Sequence, residues 1–108
     1  MTLIDTHAHI YYDDYSKRID DVISAAADNG VEKIISIGVD LKSSEECMKL
    51  AEKHESVYAT CGIHPHESQK APNGYLYELE QFYKYPKVLA VGEIGLDYYY
   101  NFSDRKTQ

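Results

Sequence analysis

Along the chain, short apolar runs alternate with segments in which apolar residues recur at helical spacing. Short apolar or β-branched runs predict four strands, over residues 2–5, 33–39, 57–61 and 88–91. Apolar residues recur at helical spacing between these runs, and they predict helices over residues 16–29, from 43 to about 54, and over 74–85. The resulting order, β-α-β-α-β-α-β, predicts parallel strands joined by right-handed crossovers.

Residues with strong backbone preferences mark the predicted helix ends. Gly30 favours left-handed backbone and ends the first helix. A capping box from Ser43 to Glu46 begins the second helix, and Pro86 closes the third. Residues 103 and 104, a serine and an aspartate, resemble the start of a further helix, and His54 is expected to compensate the dipole at the end of the second.

Two architectures fit this order of elements: an open doubly wound sheet, and part of an eight-stranded barrel. No phosphate-cradling glycine loop follows the first strand, which counts against a nucleotide-binding open sheet. Ionisable residues directly follow strands one, three and four, and in a barrel those strand ends form the active-site face. The sequence therefore predicts an α/β fold, a TIM-like (β/α) barrel. Residues 1–108 would be its N-terminal portion within a single domain, with about the first four strands and three helices.

Composition and charge narrow the classes of function. The net charge of −7, from 11 Lys and Arg against 18 Asp and Glu, argues against a broad basic surface for nucleic acid. Bound divalent cations would nevertheless reverse the local field, so a nucleic-acid substrate stays open. No apolar run approaches the ~20 residues of a membrane span, so we expect no membrane contact and a cytoplasmic location. Cys47 and Cys61 are then expected to be buried thiols and not a disulfide.

The segment after the first strand carries a pair of histidines suited to a metal ion. His7 and His9 are two residues apart, so in extended chain their imidazoles project to the same side. Glu93 follows the fourth strand and could complete a three-ligand set with open coordination positions. The alternatives are a surface turn with two solvated histidines, and an isolated acid that caps the next helix or stays solvated.

Further candidate residues follow the third and fourth strands. His64 and His66 flank Pro65 in a rigid loop, and they could bind a phosphate or another polar group of a substrate. A structural role in that loop is the alternative for both. Asp97 is expected to orient a metal-binding histidine without itself contacting the metal. Tyrosines follow the histidine pair, at Tyr11 and Tyr12, and Asp97, at Tyr98, Tyr99 and Tyr100. Their rings could stack on bases or sugars, or simply cover the barrel rim.

Three motifs together resemble a known family. DTHAH at 5–9, GIHPH at 62–66 and GEIGLDYY at 92–99 are similar to the three N-terminal signatures of the TatD family of metal-dependent deoxyribonucleases. The resemblance implies a TIM-like barrel of the amidohydrolase superfamily that hydrolyses DNA phosphodiesters with divalent metal ions (Mg, Zn or Mn), up to two per complete site. By position, His7 and His9 would bind one cation, Glu93 would bridge it to a second, and His64 would lie near the substrate phosphate.

The resemblance also implies ligands that lie beyond residue 108. Family members complete the site with two later histidines and an aspartate, and a whole barrel needs ~250 residues. We therefore expect little or no activity from these 108 residues alone. One alternative is a non-catalytic half-barrel that forms a homo-oligomer through its open sheet edge. Another is a hydrolase of a different phosphoester or amide.

Overall fold

A computed structural model describes all 108 residues and contains one sheet with helices packed against it. The strands are Leu3–Ala8 (β1), Val31–Ile37 (β2), Val57–Cys61 (β3) and Val88–Val91 (β4). The α-helices are Asp13–Ser16 (α1), Ile19–Asp28 (α2), Leu41–Lys53 (α3) and Tyr75–Phe82 (α4), and a 3-10 helix spans Pro65–Lys70. No helix combines the length and the apolar character that crossing a bilayer requires.

The sheet is parallel throughout, and its strands lie in the order β1-β2-β3-β4. Each crossover therefore adds the next strand on the same side, as in a (β/α) barrel. A doubly wound sheet instead reverses direction at its first strand. The predicted α/β fold of a barrel's first four strands is confirmed.

The core lies between the sheet and the helices. It consists of six buried residues: Ile10, Ile34, Cys47, Ala51, Val57 and Ala59. Ile34 pairs with Val57 across β2 and β3, so β-branched side chains from adjacent strands meet the same face of α3. Both cysteines are buried and free, as expected, and Cys47 Sγ lies 3.1 Å from Ser36 Oγ.

The second predicted helix begins earlier than expected. Its N-cap is Asp40, whose Oδ1 accepts a hydrogen bond from the Ser43 amide at 2.7 Å. In return Ser43 Oγ accepts from the Asp40 amide at 3.1 Å, so Ser43 is the third helical residue and not the cap. The predicted capping box from Ser43 to Glu46 is therefore wrong, because a carboxylate three residues upstream takes the N-cap position.

Other boundaries differ in ways that affect the site. β1 continues to Ala8, beyond the predicted end at residue 5, so His7 lies within the strand. The first predicted helix begins at Ile19 as α2, three residues later than expected, and the short α1 precedes it; Gly30 follows its end as expected, with φ of 86°. The loop after β3 contains the 3-10 helix, which begins at Pro65.

The helix start predicted at residues 103 and 104 is present as a single turn: Asp104 Oδ1 accepts from the Thr107 amide at 2.9 Å, and the Asp104 carbonyl accepts from the Gln108 amide at 3.1 Å. Ser103 is buried, and its Oγ donates to the His66 carbonyl at 3.0 Å. Its own carbonyl accepts from Gln108 Nε2 at 2.9 Å. The contacts of Ser103 thus fasten this turn to the 3-10 helix.

Lys87, which immediately precedes β4, caps the C-terminal end of α3. Lys87 Nζ donates to the carbonyls of Ala51 and His54 at 2.6 Å each, and to that of Glu55 at 3.1 Å. The Ala51 carbonyl belongs to the last turn of α3, where a helix leaves carbonyls without intrahelical partners, and the positive charge also suits that end of the helix dipole. His54 does occupy the C-cap position.

Candidate metal centre

Backbone hydrogen bonds continue past the carboxyl ends of the strands and hold the candidate residues at one edge of the sheet. The His64 amide donates to the Val39 carbonyl at 2.7 Å. The Glu93 amide donates to the Gly38 carbonyl at 2.7 Å, and the Gly92 amide to that of Cys61 at 3.0 Å. The segments after β2, β3 and β4 are therefore tied together directly below the functional side chains.

The three residues predicted as metal ligands meet at this edge. One donor atom each from His7, His9 and Glu93 lies within 4.8 Å of the others. His7 Nε2 is 3.6 Å from Glu93 Oε2, and their side chains are 55% and 33% exposed. The group is thus open to solvent, which leaves room for water or a substrate.

The hydrogen bonds of His9 leave one ring nitrogen free. Its Nδ1 lies 3.0 Å from the Ile37 carbonyl, which can only accept, so Nδ1 carries the proton and donates. Nε2 therefore keeps its lone pair, which is the form of imidazole that binds a metal. The Tyr12 ring stacks on His9 at 5.2 Å, and Tyr11 Oη lies 3.1 Å from Nδ1. Burial raises the pKa of the Tyr11 hydroxyl, which keeps it neutral. Together these donors fit a divalent cation.

His64 faces the same carboxylate from the other side. Its Nδ1 accepts from the His66 amide at 3.1 Å, so neutral His64 carries its proton on Nε2. That nitrogen lies 3.8 Å from Glu93 Oε1. The two oxygens of Glu93 are thus directed to different histidines, Oε2 to His7 and Oε1 to His64.

His66 lies away from the carboxylate and pairs with Asp97. His66 Nε2 contacts Asp97 Oδ2, while Asp97 Oδ1 accepts from the amides of Tyr99 at 2.9 Å and Tyr100 at 3.3 Å. The bond to His66, helped by these amides, holds the pKa of Asp97 below its ordinary value of 3.8. Asp97 therefore supports His66, and not His7 or His9 as the sequence led us to expect.

Two glycines that the sequence did not single out shape the strand ends. A Cβ on Gly62 would lie 2.8 Å from the carbonyl carbon of Gly92, which immediately precedes Glu93. A Cβ on Gly38 would lie 2.7 Å from the Cα of Ser44. Gly62 directly follows the predicted third strand and Gly38 is the next-to-last residue of the predicted second strand, and that placement was the available signal.

Comparisons with known proteins agree on one family. The family described as "TatD related DNase" matches residues 4–108. The "3'-5' ssDNA/RNA exonuclease TatD" of Escherichia coli K12 is 32% identical over 106 residues, which cover 98% of this chain and 41% of that protein. The "uncharacterized metal-dependent hydrolase YabD" of Bacillus subtilis 168 is also 32% identical, with 98% and 42% covered.

Solved structures give the same result. A TatD family hydrolase from Entamoeba histolytica superposes with a TM-score of 0.87 at 30% identity, over 99% of this chain and 42% of its own. The TatD homologue YJJV from Escherichia coli K12 has a TM-score of 0.84 at 35% identity, over 92% and 39%. The chain thus spans about 40% of the length of the relatives that it matches. Since the family match extends over nearly the whole chain, the protein belongs to the TatD-related DNase family.

Proposed function

We propose that these residues form the N-terminal half of the active site of a metal-dependent hydrolase that cleaves phosphodiester bonds in nucleic acid. The observation that carries the proposal is the convergence of His7, His9 and Glu93 within 4.8 Å at the carboxyl ends of the strands. The E. coli relative is named as an exonuclease for single-stranded DNA and RNA, which supports DNA and related nucleic acids as the substrate class. The chain itself would be the N-terminal portion of one barrel domain.

In this proposal His7 and His9 would bind one divalent cation, and Glu93 would bridge it to a second. Glu93 Oε2 lies nearest His7 and Oε1 nearest His64, and this arrangement supports a bridging role. Imidazoles favour Zn, whereas the carboxylate also suits Mg or Mn, so the ligand set accepts each of these ions. A cation there would supply a Lewis acid that polarises the phosphoryl group and lowers the pKa of an attacking water.

His64 and His66 would contact the substrate in different ways. His64 directs an Nε2–H towards the centre, where it can donate to a phosphate oxygen. Asp97 holds His66, whose ring packs edge-on against that of His64 with 4.4 Å between centroids. His66 would therefore support the orientation of His64 and border the path of the substrate.

The 108 residues alone should turn over substrate slowly or not at all. A hydrolytic site needs a group that orients the attacking water. Glu93 is engaged between two histidines, and Asp97, the next carboxylate along the chain, is occupied by His66 and two backbone amides. Metal-dependent cleavage of an oligonucleotide by the pure chain, at a rate that rises with protein concentration, would contradict this expectation.

Calorimetric titration with Zn and Mn tests the metal site. The unmodified chain should bind the ions, and His7→Ala with His9→Ala, or Glu93→Gln alone, should weaken binding at least about tenfold. Glu80→Gln is the matched control, because it removes an exposed carboxylate on α4 and should leave affinity unchanged. Equal binding by the control and by all the ligand variants would exclude the proposed centre.

A second candidate function is a non-catalytic half-barrel that pairs with another copy. It is favoured by apolar residues that are about half exposed on both edge strands: Leu3, Ile4, Leu89 and Val91. Exposed edges and apolar patches of this kind promote association. Light scattering after size exclusion separates the two functions, since a stable dimer without metal binding supports the second and a monomer that binds metal supports the first.

A further inference from the structure

Four aromatic side chains lie on the surface just beyond Asp97. Tyr98, Tyr99, Tyr100 and Phe102 are 46%, 85%, 52% and 63% exposed. Each carries a large apolar ring, and exposed groups of such rings commonly mark a binding surface. They are named here the aromatic segment.

The aromatic segment is continuous with the candidate metal centre. His64, which faces Glu93, has its ring centroid 4.4 Å from that of His66, and Phe102 lies 4.7 Å beyond His66. The row continues to Tyr100 at 5.5 Å from Phe102 and to Tyr99 at 4.8 Å from Tyr100. A line of rings therefore runs from the carboxylate to the solvent.

The rings of the row do not cover one another. The interplanar angles are 37° between Tyr100 and Phe102 and 88° between Tyr99 and Tyr100. Neither pair is stacked face to face, so ring faces stay accessible to another flat group. The backbone beneath them is held by Asp97, which accepts from two amides, and by the Ser103 bond to the His66 carbonyl. The rings are thus placed on a supported loop.

A cation accompanies these rings. The Arg105 guanidinium lies 4.5 Å from the centroid of the Tyr98 ring, and Lys106 beside it is exposed. In a chain with net charge −7, this places positive charge next to exposed aromatic faces. Aromatic faces with adjacent cations are the combination by which proteins bind single-stranded nucleic acid, since bases stack on the rings and phosphates pair with the cations.

We propose that the aromatic segment is a stacking site for the unpaired bases of single-stranded nucleic acid whose phosphate lies at the candidate metal centre. This inference rests on the proposed function, and it adds how the strand is held. Every base has an aromatic face, so the site accepts different bases. It discriminates against a duplex, whose bases are stacked on one another.

Fluorescence anisotropy with labelled oligonucleotides tests the site on the 108-residue chain. The probes are single-stranded oligo(dT), an abasic strand of the same length, and the oligo(dT)·oligo(dA) duplex. The triple variant Tyr99→Leu, Tyr100→Leu, Phe102→Leu keeps apolar side chains but removes the rings. Tyr77→Leu is the matched control, because Tyr77 is a 67% exposed ring on α4.

The unmodified chain and the control should bind oligo(dT) at least about tenfold more tightly than the abasic strand or the duplex. The triple variant should bind oligo(dT) no better than it binds the abasic strand. Circular dichroism and urea unfolding establish that the variant is folded.

Equal affinity of the unmodified chain for oligo(dT) and the abasic strand, or unchanged oligo(dT) binding by the triple variant, would overturn the inference. So would the absence of any oligonucleotide binding by a chain that binds Zn. The proposed function is judged separately, by the metal titration, which does not involve these rings.

Discussion

Replacing Gly62 with alanine should weaken metal binding at a centre that Gly62 does not itself contact. The added Cβ would lie 2.8 Å from the carbonyl carbon of Gly92, 2.9 Å from its oxygen and 3.1 Å from its Cα. The first of these is about 0.6 Å short of the 3.4 Å at which ordinary contact begins. All three are backbone atoms, so no side chain can rotate away, and the segments after β3 and β4 must separate.

The size of the effect follows from how closely a metal holds its ligands. Glu93 is bonded to Gly92, so a shift of about 0.6 Å in Gly92 carries the carboxylate with it. A metal site tolerates errors of about 0.2 Å in ligand distance. Disturbing the support of a ligand typically costs about 10–100-fold in affinity. We therefore expect Zn or Mn binding to weaken at least about tenfold, and the free energy of unfolding to fall by about 1–3 kcal/mol from overpacking.

Calorimetric titration and urea unfolding of the same preparations measure both effects. Val57→Ala is the control, because Val57 is fully buried at the opposite end of β3 and the substitution should cost about 2 kcal/mol without moving Gly92. Its metal affinity should equal that of the unmodified chain. Metal affinity that is unchanged by Gly62→Ala, or reduced as much by Val57→Ala, would refute the reasoning.

Three other predictions concern side chains around the sheet. Lys87→Met removes three charged hydrogen bonds from the end of α3 and should lower the free energy of unfolding by about 2 kcal/mol; a change under about 0.5 kcal/mol in urea unfolding would contradict it. The pKa of Asp97 should lie below 3.8 in carbon-13 NMR titration of the unmodified chain and closer to 3.8 in His66→Ala, and a value at or above 3.8 in the unmodified chain would disprove this. Because the folded chain lowers this pKa, the contribution of Asp97 to stability is complete at neutral pH and is lost as pH falls through the lowered pKa. Burial raises the pKa of Cys47 to about 12 and that of Cys61 to about 11, so Ellman's reagent at pH 8 should label neither thiol in the folded chain and both in urea; rapid labelling of the folded chain would count against it.

The order of elements and the central strands could be predicted from local pattern alone. The bounds of β3 and β4 agree with the prediction to the residue. Val57–Cys61 and Val88–Val91 are short apolar runs between polar or helix-breaking residues, so the flanking residues indicate where each strand begins and ends. The parallel arrangement then followed from the alternation with helices.

Boundaries that depend on competition between groups could not be predicted in this way. Asp40 and Ser43 both qualify as N-caps, and the outcome depends on the reciprocal bonds that they form with each other. Ser103 and Asp104 also both resemble caps; the Ser103 hydroxyl bonds to the His66 carbonyl, 37 residues earlier in the chain, and Asp104 caps the turn that follows. Local preference names the candidates in both cases, and tertiary contacts choose among them.

In the candidate site too, some contacts could be predicted from the sequence and others could not. The meeting of His7, His9 and Glu93 could be anticipated because the carboxyl ends of parallel strands share one edge. The partner of Asp97 could not, since the contact with His66 joins two loops 31 residues apart in the chain. The bond from His9 to the Ile37 carbonyl could not be predicted either, because every residue has a backbone carbonyl and the residue type does not indicate which one accepts.

The convergence of the candidate ligands also bears on the shape of the sheet. His7 lies in β1 and His9 just after it, and Glu93 lies two residues after β4; β1 and β4 are the two outer strands. In a flat sheet these strands would be three spacings, or roughly 14 Å, apart. Ligand atoms within 4.8 Å of one another therefore require a sheet that curves strongly towards its carboxyl edge, since two side chains alone bridge such a gap poorly. That curvature is the beginning of barrel closure. It brings together ligands from strands that share no hydrogen bond, and a cation held there would link the two edges of the sheet.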